Sequence, residues 1–146
     1  MNTGLKSLEP LVGEWSMEAR PPGGAPWPGG GSVKFEWLGD GAFLRETWSI
    51  DMPEAPNGVA IFGCDTSRNL LFQLYTDERD VHRIYEVTLA DGTWKMWRDS
   101  DDPFPQRFIA NFEDAEDTIA GRWEKQEDGE WSVDFELTYR RLRHRG

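Results

Sequence analysis

Apolar and polar residues alternate in short runs along most of the chain, and turn residues separate these runs. A period of two is typical of strands that bury one face. The pattern predicts a short helical turn before Pro10 and then about ten strands, near 13–20, 31–38, 42–51, 58–65, 70–76, 81–89, 93–99, 106–113, 118–126 and 131–141. At this spacing we expect an all-β fold, a single antiparallel up-and-down β-barrel that covers residues 1–146, with a Pro/Gly-rich loop over 21–31 at one barrel mouth.

The first of two Asp-Gly pairs predicts the register of a hairpin. Asp40-Gly41 is a signal for a tight type I′ turn between residues 31–38 and 42–51. In the resulting register one face carries Glu46 and is otherwise apolar, with Val33, Phe35, Trp37, Leu44 and Trp48. We therefore expect Glu46 to point into the barrel.

The second pair, Asp91-Gly92, gives the same signal between residues 81–89 and 93–99. Its apolar face holds Val87, Leu89, Trp94 and Met96 and also three polar residues, Arg83, Tyr85 and Arg98. The last predicted strand has an apolar face as well, made of Trp131, Val133, Phe135, Leu137 and Tyr139. The segment 70–76 is apolar on both faces, so alternation does not orient it.

Charged groups that face inward must be paired, hydrated or in contact with a ligand. Glu46, Arg83 and Arg98 therefore leave two interpretations open. One is a Glu–Arg network that closes an end of the barrel, and the other is a polar anchor at the base of an aromatic pocket.

The pocket interpretation predicts a set of ligand-binding residues. Polar anchoring would come from Glu46, Arg83, Tyr85 and Arg98, and the apolar wall from Trp37, Trp48, Trp94 and Met96. Tyr75 and Arg122 are added, although the pattern does not orient their strands. The expected ligand is a small hydrophobic or amphipathic molecule.

Composition and charge narrow the classes of function. The chain of 146 residues is rich in tryptophan, with eight, and these rings serve either core packing or a cavity lining. A net charge of −11 argues against binding of nucleic acid or of an anionic membrane surface. No apolar run is long enough to span a membrane, and the first residues lack the apolar stretch of a signal peptide. Because Cys64 is the only cysteine, we expect a reducing, cytoplasmic location.

Motifs for metal or phosphate chemistry are missing from the sequence. His82 is expected at the surface and His144 in the basic tail, so no metal site is predicted. The acidic stretch "RDSDDPF" lacks the glycine and the distal glutamate of an EF-hand loop.

Two further interpretations remain open. One is an isomerase or hydrolase-like enzyme that uses Glu46 as general base and Tyr85 or Arg98 as electrophile. The other is a structural barrel with a filled interior, in which an exposed Trp97 would mark a homodimer surface.

A resemblance to known proteins rests on several short segments and on their order and spacing over about 10–141. The segments are "LVGEWSMEA", "FEWLGDGAFLRETWSID", "IFGCD", "RIYEV", "GTWKMWRDSDDPFPQRF" and "IAGRWEKQEDGEWSVDFELTYRR". In this order they resemble a family of small uncharacterised bacterial proteins with a lipocalin-like (calycin) barrel. Gly13-x-Trp15 is similar to the Gly-x-Trp that opens calycin barrels, where the tryptophan packs across the closed end. The resemblance implies an antiparallel barrel that binds a small apolar or amphipathic molecule.

The same resemblance extends distantly to fatty-acid-binding-type barrels and to nitrobindin-like haem barrels. The haem proteins ligate iron through a histidine near the C-terminal strand. Here the last predicted strand offers Tyr139, and His144 follows it only in the tail. The Gly-x-Trp-x-Gly-x-Gly form of those proteins is replaced by "GEWSMEA". We therefore expect no haem and no other cofactor.

Overall fold

The structure is a computed structural model that describes residues 3–52, 55–98 and 103–143. A short helix α1 (Thr3–Lys6) and a 3₁₀ turn (Glu9–Leu11) precede ten strands. The strands are β1 Gly13–Arg20, β2 Gly31–Leu38, β3 Phe43–Ile50, β4 Gly58–Asp65, β5 Leu70–Asp77, β6 Val81–Ala90, β7 Thr93–Trp97, β8 Gln106–Glu113, β9 Thr118–Glu127 and β10 Glu130–Arg141. The predicted strands and the helical turn before them are thus confirmed, except that β7 ends at Trp97, and residue 99 of the predicted strand lies outside the described residues.

Each strand pairs with its neighbour in the chain, and β1 also pairs with β10, so the sheet closes on itself. All pairs are antiparallel. The predicted up-and-down barrel of about ten strands is therefore confirmed. No helix within the described residues is long and apolar enough to cross a membrane.

Both residues of each Asp-Gly pair have the positive φ angle that a type I′ turn requires, and Gly39 before the first pair also has a positive φ of 60°. Asp40 and Gly41 have φ angles of 54° and 85°, and Asp91 and Gly92 have 54° and 75°. Phe35 lies opposite Glu46, as predicted for the first hairpin. The register of the second hairpin is also confirmed, with Val87 opposite Met96 and Leu89 opposite Trp94.

The ring of Trp15, which we call the plug, closes one end of the barrel. Trp15 at the start of β1 is fully buried, and its indole N–H donates to the Leu11 carbonyl over 2.9 Å. The Arg141 guanidinium lies 4.1 Å from the centre of the Trp15 ring and donates to the carbonyls of Pro10 and Val12, each over 2.8 Å. Trp15 thus lies where the family resemblance implies. We call this the closed end.

The opposite, open end carries the longest described connection. Residues 21–30 link β1 to β2 there, which agrees with the predicted Pro/Gly-rich loop. The link between β3 and β4 and the turn between β5 and β6 lie at the same end, because successive strands run in alternate directions. These connections surround the entrance to the barrel.

Buried rings fill the half of the barrel next to the closed end. Trp94 is the centre of this core, 4.8 Å from the ring of Phe108 and 6.1 Å from the ring of Phe35. Phe62 and Tyr139 also pack against the Trp94 ring. The cavities lie between this core and the open end, and Trp94, Phe108 and Tyr139 line the inner one.

A bulge in β10 changes which residues of that strand face inward. The register shifts between Val133 and Phe135, so that Phe135 pairs with Trp123 while Val133 pairs with Glu124. Trp123 lines the interior and Glu124 lies on the other face, and the Trp131 ring stacks with an outward-facing arginine of β8. The prediction that Trp131 and Val133 share the inner face is therefore wrong, because a bulge reverses the alternation.

Candidate functional site

Two adjoining cavities occupy the open half of the barrel. The inner chamber has a volume of about 130 Å³ and the outer vestibule about 320 Å³. The two share a set of lining residues: Met17, Trp48, Ile50, Tyr75, Phe135 and Leu137. The vestibule is additionally bounded by residues of the open-end connections: Trp27, Gly30, Met52, Ala55, Pro56 and Arg79. Together they form a path from the open end toward the middle of the barrel.

The carboxyl group of Glu46 lies in the inner chamber. Glu46 is only 7% exposed and accepts a hydrogen bond from Nε2 of Gln73 over 3.0 Å at its Oε1 atom. Burial raises the pKa of Glu46 to about 7, and the hydrogen bond from Gln73 opposes this rise only in part. No cationic side chain pairs with Glu46 among residues 3–52, 55–98 and 103–143.

The neighbouring strands explain why a carboxylate fits at this position. Glu46 is the inward residue between Leu44 and Trp48 on β3, and it lies opposite Phe35 on one side and Ala60 on the other. The small side chain of Ala60 leaves space on the inner side of β4. The side chain of Gln73, on β5, crosses this space to reach Glu46.

Two further side chains that line the chamber hold polar atoms without a partner in the described part of the chain. Oε1 of Gln73 and Nε1 of Trp94 are buried, and neither atom has a hydrogen-bond partner among the residues that the structure describes. Tyr139 also lines the chamber, and burial together with the charge of Glu46 raises its pKa well above the ordinary value. An unsatisfied buried polar atom costs about 1–3 kcal/mol. Two side chains that line the chamber thus each hold a buried polar atom that no other described residue pairs with.

An aromatic stack forms one wall of both cavities. The rings of Trp48 and Tyr75 are 5.2 Å apart and inclined by 26°. The Trp48 ring lies across Gly58, where a Cβ atom would overlap both the ring and the Thr76 carbonyl. Nε1 of Trp48 donates to the Pro56 carbonyl over 3.1 Å, and this hydrogen bond also holds the ring in place.

Gly58→Ala is expected to displace the Trp48 ring, because the added methyl group would occupy its place. We expect a loss of about 1–3 kcal/mol in the free energy of unfolding, which is typical of overpacking. Near-ultraviolet circular dichroism and urea denaturation measure the two effects. Val59→Ala, at the exposed neighbouring position, is the control, and an equal loss in both variants would contradict the role given to Gly58.

Three polar residues, Tyr75, Asp77 and Arg79, form a cluster where the vestibule meets the open end. The Tyr75 hydroxyl donates to Oδ2 of Asp77 over 2.6 Å, and Arg79 forms an ion pair with the same carboxylate at 2.7 Å. Burial raises the pKa of Asp77, but the hydrogen bonds from Arg79 and Tyr75 outweigh it and bring the pKa to about 2. Arg79 is the one charged residue that lines the vestibule in the described part of the chain.

Half of the predicted site residues come together at the inner chamber. The chamber is lined by Glu46, Trp48, Tyr75, Trp94 and Met96. The segment that the pattern did not orient, β5, thus contributes Tyr75 to the cavity.

Three other predicted residues form a second cluster near the open end, and the Tyr85 ring of this cluster packs behind Tyr75 of the chamber wall, with 6.4 Å between the ring centres. The Tyr85 hydroxyl donates to Oε1 of Gln106 over 2.7 Å, and Arg83 donates to the same atom over 3.3 Å. The Arg98 guanidinium lies 5.9 Å from the centre of the Tyr85 ring. Neither cavity includes these side chains in its lining, and the Glu–Arg network considered above is not formed by the described residues.

The two remaining predicted residues lie away from the cavities. Arg122 is on the outer face of β9, where it forms an ion pair with Glu124 at 2.6 Å. Trp37 lies at the closed end, and its indole N–H donates to a carboxylate oxygen of Glu9 over 2.8 Å.

Several lining residues were not singled out from the sequence. Gln73 lies on the strand whose two apolar faces gave no orientation, and Arg79 lies in the turn that follows it. Trp27 comes from the long loop and packs against Phe135, with 6.5 Å between the ring centres. The available signal for Trp27 was a tryptophan in an otherwise Pro/Gly-rich loop, because a ring of this size buries a large area when it finds a contact.

Metal chemistry gains no support from the described residues. His82 is exposed and contacts Asp80 at 3.0 Å. No group of three or more metal-ligating side chains occurs in the part of the chain that the structure describes. His144 and residues 99–102 of the acidic stretch lie outside the described residues.

Comparisons with known proteins give a likeness in fold. No family model matches the chain, and no curated protein matches it. The crystal structure of Rv2717c from M. tuberculosis is similar with a TM-score of 0.65 and 13% identity, over 98% of this chain and 99% of that one. A protein of unknown function from the DUF3598 family of Nostoc punctiforme PCC 73102 aligns with 9% identity over 97% and 100% of the chains, but its TM-score of 0.30 supports no conclusion. The chain therefore shares its barrel fold with Rv2717c along nearly its whole length.

Proposed function

We propose that this barrel binds a small hydrophobic or amphipathic ligand, as a lipocalin-like (calycin) protein does. The observation that carries the proposal is the inner chamber, in which aromatic walls surround the buried carboxyl group of Glu46. Apolar walls with a few convergent polar groups are typical of small-molecule sites.

The size of the cavities supports the proposal. An apolar cavity of about 150 Å³ inside a protein accepts benzene. The inner chamber, at about 130 Å³, is similar in size, and the vestibule adds about 320 Å³ toward the open end. A ring or short chain can therefore enter while the rest of the molecule lies in the vestibule against the Trp48–Tyr75 stack.

Titration with N-phenyl-1-naphthylamine tests this function, because the dye fluoresces when it leaves water for an apolar site. We expect a saturable rise in fluorescence with one site per chain. Ala19→Trp should weaken binding at least about tenfold, since Ala19 lines the vestibule and a large ring there would fill it.

The matched control is Ala90→Trp, which introduces the same ring at an exposed position away from both cavities. It should bind the dye as the unmodified protein does. A dye response that is absent, or that survives Ala19→Trp unchanged, would contradict a ligand site inside the barrel.

The alternative functions have less support. Glu46 has the raised pKa of a general base, but the proposed electrophiles Tyr85 and Arg98 do not line its chamber. A filled interior does not agree with the two cavities. Trp97, which would mark a dimer surface, is half-buried and lies opposite Glu86.

A further inference from the structure

We infer that the inner chamber takes the ammonium group of an organic amine, with Glu46 as its counter-ion. The inference rests on the proposed function and deepens it by naming the class of ligand. The ligand would carry an aromatic or aliphatic body that extends into the vestibule.

The charge balance of the cavities is the first observation. Glu46 is the only charged residue lining the inner chamber in the described part of the chain, and no cation of the protein pairs with it there. Arg79, the one charged residue of the vestibule lining in the same described ranges, is already paired with Asp77. A buried carboxylate without a counter-ion is strongly unfavourable, so a ligand cation would supply what the protein lacks.

The hydrogen-bonding inventory is the second observation. Within residues 3–52, 55–98 and 103–143, neither the buried acceptor Oε1 of Gln73 nor the second carboxylate oxygen of Glu46 has a hydrogen-bond partner. The hydroxyl oxygen of Tyr139, which also lines the chamber, can accept as well. An ammonium group has three N–H donors and no acceptor, so it can donate to an oxygen of Glu46 without bringing an acceptor of its own.

The same inventory disfavours an anionic head group. A ligand carboxylate would bring a second negative charge next to Glu46 and would leave Oε1 of Gln73 without a donor. A neutral hydroxyl group could satisfy one acceptor but would not neutralise Glu46. The aromatic walls add a further preference, because ring faces such as those of Trp48 and Tyr75 attract cations.

The test compares three ligands with one body and different head groups: 2-naphthylmethylamine, 2-naphthylmethanol and 2-naphthoate. Calorimetry at about pH 8 and physiological salt gives the three affinities. We expect the amine to bind at least about tenfold more tightly than the alcohol and the acid to bind most weakly. High salt should weaken the preference little, because buried pairs are poorly screened.

The charge of Glu46 is removed in Glu46→Gln, which keeps the shape and the hydrogen bond from Gln73. The variant should bind amine and alcohol with affinities within about threefold of each other. Glu86→Gln removes the same charge from a position outside the cavities and should keep the full preference for the amine. This pair separates a specific counter-ion from the general attraction of cations to a chain of net charge −11.

The affinity for the amine should also fall at least about tenfold between about pH 8 and pH 5.5, as Glu46 takes up a proton, and should stay constant in Glu46→Gln. Tyr75 and Tyr139 are the other titratable residues lining the chamber in the described part, and burial raises the pKa of both. Glu46 is therefore the group that titrates in this range.

Equal binding of amine and alcohol by the unmodified protein would overturn the inference, and so would an amine preference that persists in Glu46→Gln. If N-phenyl-1-naphthylamine still binds in either case, the proposed function stands and only the ligand class is wrong. If neither the dye nor any of the three ligands binds, the proposed function fails as well.

Discussion

Glu46→Gln is expected to stabilise the ligand-free protein by about 3 kcal/mol at pH 8 and to change its stability little near pH 5. The pKa of Glu46 rises from an ordinary value of 4.5 to about 7 on folding, so the folded state holds the proton more tightly than the unfolded chain does. Stability therefore falls as the pH rises through the interval from 4.5 to 7, and the full penalty is present above it. A tenfold difference in proton affinity between the folded and unfolded states corresponds to about 1.4 kcal/mol.

Urea denaturation of both proteins at several pH values measures their free energies of unfolding. Subtracting one free energy from the other at each pH cancels the contribution of every other titrating group. Glu86→Gln is again the control, because it changes the net charge by the same amount on the outer face of β6. The free energies of unfolding of Glu46→Gln and the unmodified protein could instead change in parallel from pH 5 to pH 8. This result would show that Glu46 is not held in an unfavourable ionised state.

Trp15→Ala is expected to lower the free energy of unfolding by about 3–5 kcal/mol, which is typical for the loss of a fully buried large ring. The substitution removes the hydrogen bond to Leu11 and the ring under the Arg141 guanidinium, and it opens a void at the closed end. A loss of this size is a large part of the stability of an ordinary domain.

Trp27→Ala provides the comparison, since Trp27 is 39% exposed and packs in a loop. It should cost less than about 1 kcal/mol, because a partly exposed ring in a loop contributes little to folding. Urea denaturation measures both variants. A cost for Trp15→Ala no larger than that for Trp27→Ala would mean that the closed end does not depend on the plug.

The barrel could be predicted because its signals are local. Alternation within each strand defines a buried face, and the Asp40-Gly41 and Asp91-Gly92 turns fix two registers by their backbone conformation alone. The inward position of Glu46 followed from these two facts.

The rest of the site depends on relations between distant strands. Alternation gives the face of Arg83 and Arg98 but not their height in the barrel, and both lie near the open end of β6 and β7, away from Glu46. Height is set by the stagger of the closed sheet, which no single strand encodes. Gln73 was missed because β5 is apolar on both faces, and Val133 was misplaced because a bulge leaves no clear trace in the hydrophobic pattern.

The pairing of β1 with β10 has a consequence for how the chain folds. Every other strand pair joins neighbours in the sequence, whereas this one brings Trp15 opposite Arg141 and closes a loop of almost the entire chain. The entropy lost in closing a loop grows with its length. The pairing of β1 with β10 therefore has the largest entropic cost of the strand pairings, and we expect it to form most slowly. During synthesis β1 must wait for β10 with one edge of unpaired backbone groups, and such an edge is a template for pairing with another chain. Completion of the barrel is thus also the step that protects the nascent protein from aggregation.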